Sequence, residues 1–171
     1  MFLCNRYCGY GKPLHPVDAE TLGIEAARMV ERYLSHRADH APTPRHSLPA
    51  LAGELDVGAI YVKDESYRLG LCSFKALGGS YAVIRLLQDA ASRQLGRPVD
   101  VSELSSSDAR SVAAKMTVAC APDGNHGRSV AQGARLVGAK AAIFVHAGVS
   151  DARVAAIAHF GAQMIPRRRH L

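Results

Sequence analysis

Apolar residues recur at helical intervals near the start of the chain. Val17, Leu22, Ile24, Ala27, Val30 and Leu34 share one face, with Asp18 and Glu20 close to its beginning, and this spacing predicts a helix over residues 17–36. The stretch HAPTPRHSLP then interrupts the pattern, because Pro42 and Pro44 each fix φ and restrict the residue before them, giving an extended connection. AIYVKD (59–64) is a short β-rich run. From Lys75 to Ala91 the positions Leu77, Tyr81, Ile84 and Leu87 return to one helical face.

Residues 92–116 are polar and serine-rich and read as a loop with a short helix. TVACA (117–121) is a continuous apolar run of the kind buried on both faces of a sheet. From Arg128 to Val137, Val130, Ala131, Ala134 and Val137 repeat helically and Gly138 is a natural stop. AAIFVHA (141–147) reads as a second buried strand. Ser150 is an N-cap for a helix carrying Val154, Ile157 and Ala158, closed by Gly161, and AQMI (162–165) opens a further strand. Strand and helix alternate, which predicts an α/β fold with a parallel sheet and right-handed crossovers. A sheet that meets Pro166 on a nascent strand, with no helix to cover it, reads as incomplete on its C-terminal side. Residues 1–15 show no periodicity and read as an irregular arm, and no repeat of solenoid spacing occurs.

With 48% hydrophobic and 21% charged residues in 171, the chain falls in the globular range and has the length of one domain. No run approaches the roughly 20 apolar residues of a membrane span, and the N-terminus lacks the apolar core of a secretory signal, so a cytoplasmic location is the default expectation. Cys4, Cys8, Cys72 and Cys120 have no disulfide-framework spacing, and Cys4, Cys8 and His15 match no strong zinc pattern. The net charge of +6 invites a nucleic-acid reading. Yet Arg167, Arg168 and Arg169 form the only basic cluster, and no stacking aromatics are interleaved with it, so nucleic-acid binding is a minor alternative.

Two stretches could carry chemistry. In SFKALGG, Lys75 sits where a turn passes into a helix, and the positive end of the helix dipole there favours a neutral amine, the form that attacks an aldehyde to make a Schiff base. Gly78 and Gly79 each cost about 1 kcal/mol relative to alanine inside a helix, which suggests close approach of a backbone or a ligand. APDGNHG (121–127) lies between a buried strand and a helix, where ligands gather at the C-terminal ends of parallel strands. Asp123, Asn125 and His126 offer a proton carrier, an amide and an imidazole there, although Asp, Asn and Gly also suit a plain turn. Neither G-x-G-x-x-G nor a P-loop is present, and no Ser-His-Asp arrangement or H-E-x-x-H is visible.

Taken together, APTP (41–44), YVKDESYRLGLCSFKALGGSYA (61–82) and DGNHG (123–127) resemble the fold-type II pyridoxal-phosphate enzymes, the class of the tryptophan synthase β-subunit-like fold, and most closely their diaminopropionate ammonia-lyase branch. The resemblance runs over 41–165, and an aspartate at the position of Asp123 is the feature that looks like that branch. It implies pyridoxal 5'-phosphate as cofactor, with Lys75 joined to it as a Schiff base and serving as base at the substrate Cα. It further implies that Asn125 bonds the cofactor's phenolic oxygen, that Asp123 is the second acid/base group, that Ser73 and Phe74 shape the pocket, and that Gly124 and His126 belong to the cofactor-binding loop, His126 in a supporting role. The implied reaction is α,β-elimination of 2,3-diaminopropionate to pyruvate and ammonia on a small amino-acid substrate. A serine/threonine dehydratase-like lyase is the runner-up, and a non-catalytic binding module a third reading. Full-length members of such a family imply a homodimer.

The resemblance divides the chain into an N-terminal arm and helix (1–40), an α/β enzyme region (41–165) and a divergent basic tail (166–171). A phosphate group needs a glycine-rich run of backbone N–H groups at a helix N-terminus, and none follows Lys75. The expectation is therefore a truncated or frame-shifted N-terminal part with little or no ammonia-lyase activity of its own and an exposed sheet edge prone to pairing.

Overall fold

A computed structural model describes residues 6, 9, 11–122 and 124–167. The apolar face over 17–36 folds as two helices, α1 (Pro16–Leu22) and α2 (Ile24–Ser35). They part at Gly23, whose extended backbone (ψ −178°) cannot continue the helical ladder. α2 buries Tyr33, whereas Val17, Leu22 and Ile24 stay exposed.

The proline-bounded connection contains a short strand, β1 (Arg45–Ser47), followed by α3 (Pro49–Glu54) and β2 (Tyr61–Lys63). β2 pairs antiparallel with β1, in register Arg45↔Lys63 to Ser47↔Tyr61. The β-rich run at 59–64 thus forms a strand outside the parallel sheet. All six residues of this ribbon are exposed, so it has no apolar face to bury against the core.

After a 3₁₀ turn over Glu65–Gly70 come α4 (Lys75–Leu95), α5 (Ser107–Ala113), β3 (Thr117–Cys120), α6 (Asn125–Val137), β4 (Lys140–His146), α7 (Asp151–Ala158) and β5 (Gln163–Arg167). The three strands form a parallel sheet in the order β3-β4-β5. β4 is central and buries Ala141, Ala142, Ile143 and Val145, as its apolar run predicts. β3 is an outer strand, so only Val118 is buried and Thr117 and Ala119 are exposed, against the expectation of burial on both faces. α6 begins at Asn125, three residues ahead of the expected Arg128, which turns the end of the candidate loop into the first turn of a helix. Arg168 and Arg169, and the side chain of Arg167, lie outside the described residues, as do Cys4 and Cys8.

The core lies where α4 and α6 cross beside the sheet. Val83, Ile84, Leu87 and Ala91 of α4 meet Val130, Ala131, Ala134 and Val137 of α6 and Ile143 of β4. Each such Val, Leu or Ile contributes about 1.5–3 kcal/mol by leaving water. The crossing is tight because small residues face each other. A Cβ on Gly79 would stand 2.6 Å from Ser129 Oγ, and one on Gly133 would stand 2.8 Å from Ser80 Cα. Gly79 therefore answers to helix–helix approach, while Gly78 has nothing within 4 Å of a built Cβ.

Candidate active site

Lys75 is the first residue of α4, and the segment before it fixes where it stands. Leu69 (φ 48°), Gly70 (φ 65°) and Cys72 (φ 55°) all adopt left-handed backbone, which costs a non-glycine residue about 1–2 kcal/mol. Packing and hydrogen bonds offset that strain. Leu69 and Leu71 are buried, Gln132 Nε2 donates to the Leu69 carbonyl (3.0 Å) and Arg128 Nη1 donates to the Leu71 carbonyl (3.3 Å). Ser73 is buried, and its Oγ accepts from the Lys75 backbone N–H (3.2 Å), satisfying one donor left free at the helix start. Ser129 of α6, fully buried, donates to the Ala76 carbonyl and accepts from the Ser80 N–H, both at 2.9 Å.

Upstream, Arg68 is buried and donates to both carboxylate oxygens of Glu65 (2.6 and 2.8 Å) and to Thr43 Oγ1 (3.0 Å). Thr43 Oγ1 donates to Glu65 Oε1 (2.6 Å), and Lys63 Nζ donates to the Thr43 carbonyl. The Arg68 guanidinium first, and Thr43 second, pull the Glu65 carboxyl down to about 2. This cluster ties the strand ribbon to the turn that leads into Lys75.

Lys75 opens on a cleft of about 550 Å³. Gly124, Asn125 and His126, at the start of α6, line it with Pro122, which follows β3. Arg128 from the next turn of α6 and Arg153 from α7 add two guanidinium groups. The Nε of Arg128 is buried and makes no hydrogen bond among the described residues. Among the described residues no side chain caps α6, whose first N–H groups stand at the positive end of the helix. A primary amine, an amide, an imidazole and two guanidiniums around one cleft can condense with a carbonyl and hold an anion.

Of the residues singled out in the sequence, the fold brings Lys75, Gly124, Asn125 and His126 to this one cleft. Ser73 and Phe74 do not line it: Ser73 lies beneath Lys75 and Phe74 is largely exposed. Asp123 lies outside the described residues. Sequence reasoning missed Arg128 and Arg153. Arg128 follows Asn125 by three positions and so shares its helical face, a signal available once α6 is started at Asn125. Arg153 enters because α6 and α7 both begin at the same end of a parallel sheet. Among the described residues no group of three His, Cys, Asp or Glu side chains could hold a metal ion, and no helix is long and apolar enough to cross a membrane.

The chain is similar to known proteins in sequence and in fold. The chain is 39% identical over 140 residues to diaminopropionate ammonia-lyase of Escherichia coli strain K12, covering 81% of this chain and 34% of that protein. It is 33% identical over 113 residues to a probable D-serine dehydratase of Rhizobium etli, covering 64% of this chain and 25% of that one. The crystal structure of holo diaminopropionate ammonia lyase from Escherichia coli superposes with a TM-score of 0.72 at 36% identity, over 84% of this chain and 35% of that one. The chain thus spans about a third of the length of the diaminopropionate ammonia-lyase that it matches. The family described as "Pyridoxal-phosphate dependent enzyme" matches residues 37–169, which hold the whole of this cleft, and the chain belongs to that family.

Proposed function

We propose that this chain carries the lysine-bearing part of an ammonia-lyase that eliminates the β-amino group of 2,3-diaminopropionate, with Lys75 joined to pyridoxal 5'-phosphate. The observation that carries the reading is the meeting of Lys75, Asn125 and His126 on one cleft. The 39% identity to diaminopropionate ammonia-lyase of Escherichia coli supports the substrate.

The residues present fit the cofactor. Its aldehyde requires a primary amine, and Lys75 lines the cleft. Its phenolic oxygen requires a donor, which the Asn125 amide supplies, and its negative charge suits the start of α6 and the Arg128 guanidinium, whose Nε has no partner among the described residues. When bound, the cofactor supplies an electron sink for negative charge at the substrate Cα. The protons are left to the chain. Lys75 Nζ would take the Cα proton. An amine leaves poorly unless protonated, so a general acid must reach the β-nitrogen. Lys75 or Asp123, the sequence neighbour of the cleft-lining Pro122 and Gly124, fills that role, and Asp123 handles the opposite Cα configuration. His126 orients the loop. Across the reaction, 2,3-diaminopropionate and one water become pyruvate and two ammonia.

A second reading, elimination of water from D-serine, has the support of the Rhizobium etli relative. Reductive labelling separates the two. The chain is mixed with pyridoxal 5'-phosphate, reduced with borohydride and digested, and the adducts are located by mass spectrometry. The expected adduct is at Lys75, absent in Lys75→Ala. Equal labelling of Lys12, Lys63, Lys115 and Lys140 would overturn the reading. Added before borohydride, 2,3-diaminopropionate is expected to protect Lys75 relative to those four lysines more than D-serine does, and the reverse order would favour the dehydratase.

A further inference from the structure

We infer that Arg37 is a positioning residue for Lys75, acting through two hydrogen-bonded arms that end on either side of the lysine. The inference rests on the reading of Lys75 as the cofactor lysine. Arg37 follows α2 and does not line the cleft. Its side chain is 6% exposed and paired with Asp39, to which Nε and Nη2 donate at 2.8 and 2.5 Å.

The remaining donors run inward. In the first arm, Nη2 donates to Gln132 Oε1 (3.5 Å), and Gln132 Nε2 donates to the Leu69 carbonyl (3.0 Å). In the second, Nη1 donates to Tyr33 Oη (3.0 Å), Tyr33 Oη donates to Ser80 Oγ (3.3 Å), and Ser80 Oγ donates to the Ala76 carbonyl (2.7 Å). Every donor in both arms points away from the guanidinium and toward a backbone carbonyl of the lysine segment. Such chains polarise one another in a buried setting, and here they start on a cation. Leu69 and Ala76 bracket Lys75, and the stretch between them contains the left-handed Leu69, Gly70 and Cys72. Backbone held in that region persists only where its surroundings over-determine it. The two arms add to the constraint given by the buried Leu69 and Leu71 and by the Arg128 and Ser129 hydrogen bonds, so cutting either lets the segment relax and carries the Lys75 amine away from its place on the cleft.

The test compares Gln132→Leu, which cuts the first arm, Tyr33→Phe, which cuts the second, and Arg37→Met, which cuts both. One readout is the ratio of the Lys75 adduct to the mean adduct on the other four lysines after pyridoxal 5'-phosphate and borohydride. The second, taken without any cofactor, is amide hydrogen exchange over 69–77, with exchange in β4 as the measure of global stability. Each single-arm variant is expected to lower the Lys75 ratio by about two- to tenfold, the range of one lost hydrogen bond, and to speed exchange over 69–77 while β4 is unchanged. Unchanged ratio and exchange in both single-arm variants would overturn the inference, and so would an equal rise of exchange in 69–77 and β4. Should Arg37→Met fail to fold, the single-arm variants decide. If the unsubstituted chain labels all its lysines alike, the cofactor reading fails, and the exchange measurement still decides whether the arms hold the segment.

Discussion

At the scale of single residues, Asn125 illustrates how a side chain acquires a role from its place on an element. It begins α6 and lines the same cleft as Lys75, so its amide and the N–H groups of the helix start approach the same volume. Asn125→Ala removes the amide and leaves the helix. The expected outcome is a two- to tenfold weaker hold on pyridoxal 5'-phosphate, roughly the value of one hydrogen bond, measured by equilibrium titration. An unchanged dissociation constant would remove Asn125 from the cofactor's contacts. Lys75 and Asn125 were legible in the sequence because each stands in a short, chemically unusual motif. Arg128 and Arg153 were not, because arginines on helices are ordinary and only their shared cleft distinguishes them.

Among the elements, the crossing of α4 and α6 positions the lysine, and its two glycines behave oppositely. Gly78 is exposed and nothing lies within 4 Å of a Cβ built there, so Gly78→Ala is expected to raise stability by about 0.5–1 kcal/mol through helix propensity alone. A Cβ on Gly79 would meet Ser129 at 2.6 and 2.7 Å, so Gly79→Ala is expected to cost about 1–3 kcal/mol by overpacking. Thermal or urea unfolding of the two variants reads the opposite signs directly. A gain in stability from Gly79→Ala would mean that the helices do not meet so closely. The glycine pair was visible in the sequence, but periodicity does not say which of two adjacent glycines faces a neighbour. The helix predicted over 17–36 shows the same limit. Its apolar face was legible, whereas the break at Gly23 follows from an extended backbone that periodicity does not register.

For the molecule as a whole, the Glu65–Arg68–Thr43 cluster joins the strand ribbon to the lysine turn, and its strength depends on pH. The Glu65 carboxyl titrates at about 2 in the fold against 4.5 ordinarily, chiefly because of Arg68. A lowered carboxyl stabilises the fold fully above pH 4.5 and loses that contribution as pH falls through about 2. Glu65→Gln is therefore expected to lower the melting temperature at neutral pH, by the equivalent of about 1.5–3 kcal/mol for bonds to a charged partner, and to flatten its dependence between pH 4.5 and 2. Parallel melting curves for the two chains across that window would show that Glu65 does not couple to folding. Sequence by itself determined the alternation of strand and helix, the parallel sheet and the two motifs of the cleft, because hydrophobic period and turn chemistry are local properties. Only the tertiary structure decided that β2 leaves the main sheet, that β3 lies at its edge, and that Arg128 and Arg153 join Lys75. Only it brought Gln132 to Arg37 and Ser80 to Tyr33. Those relations depend on which surfaces meet after the chain has folded back on itself, and residues 95 positions apart in sequence carry no local sign that they will share a hydrogen bond.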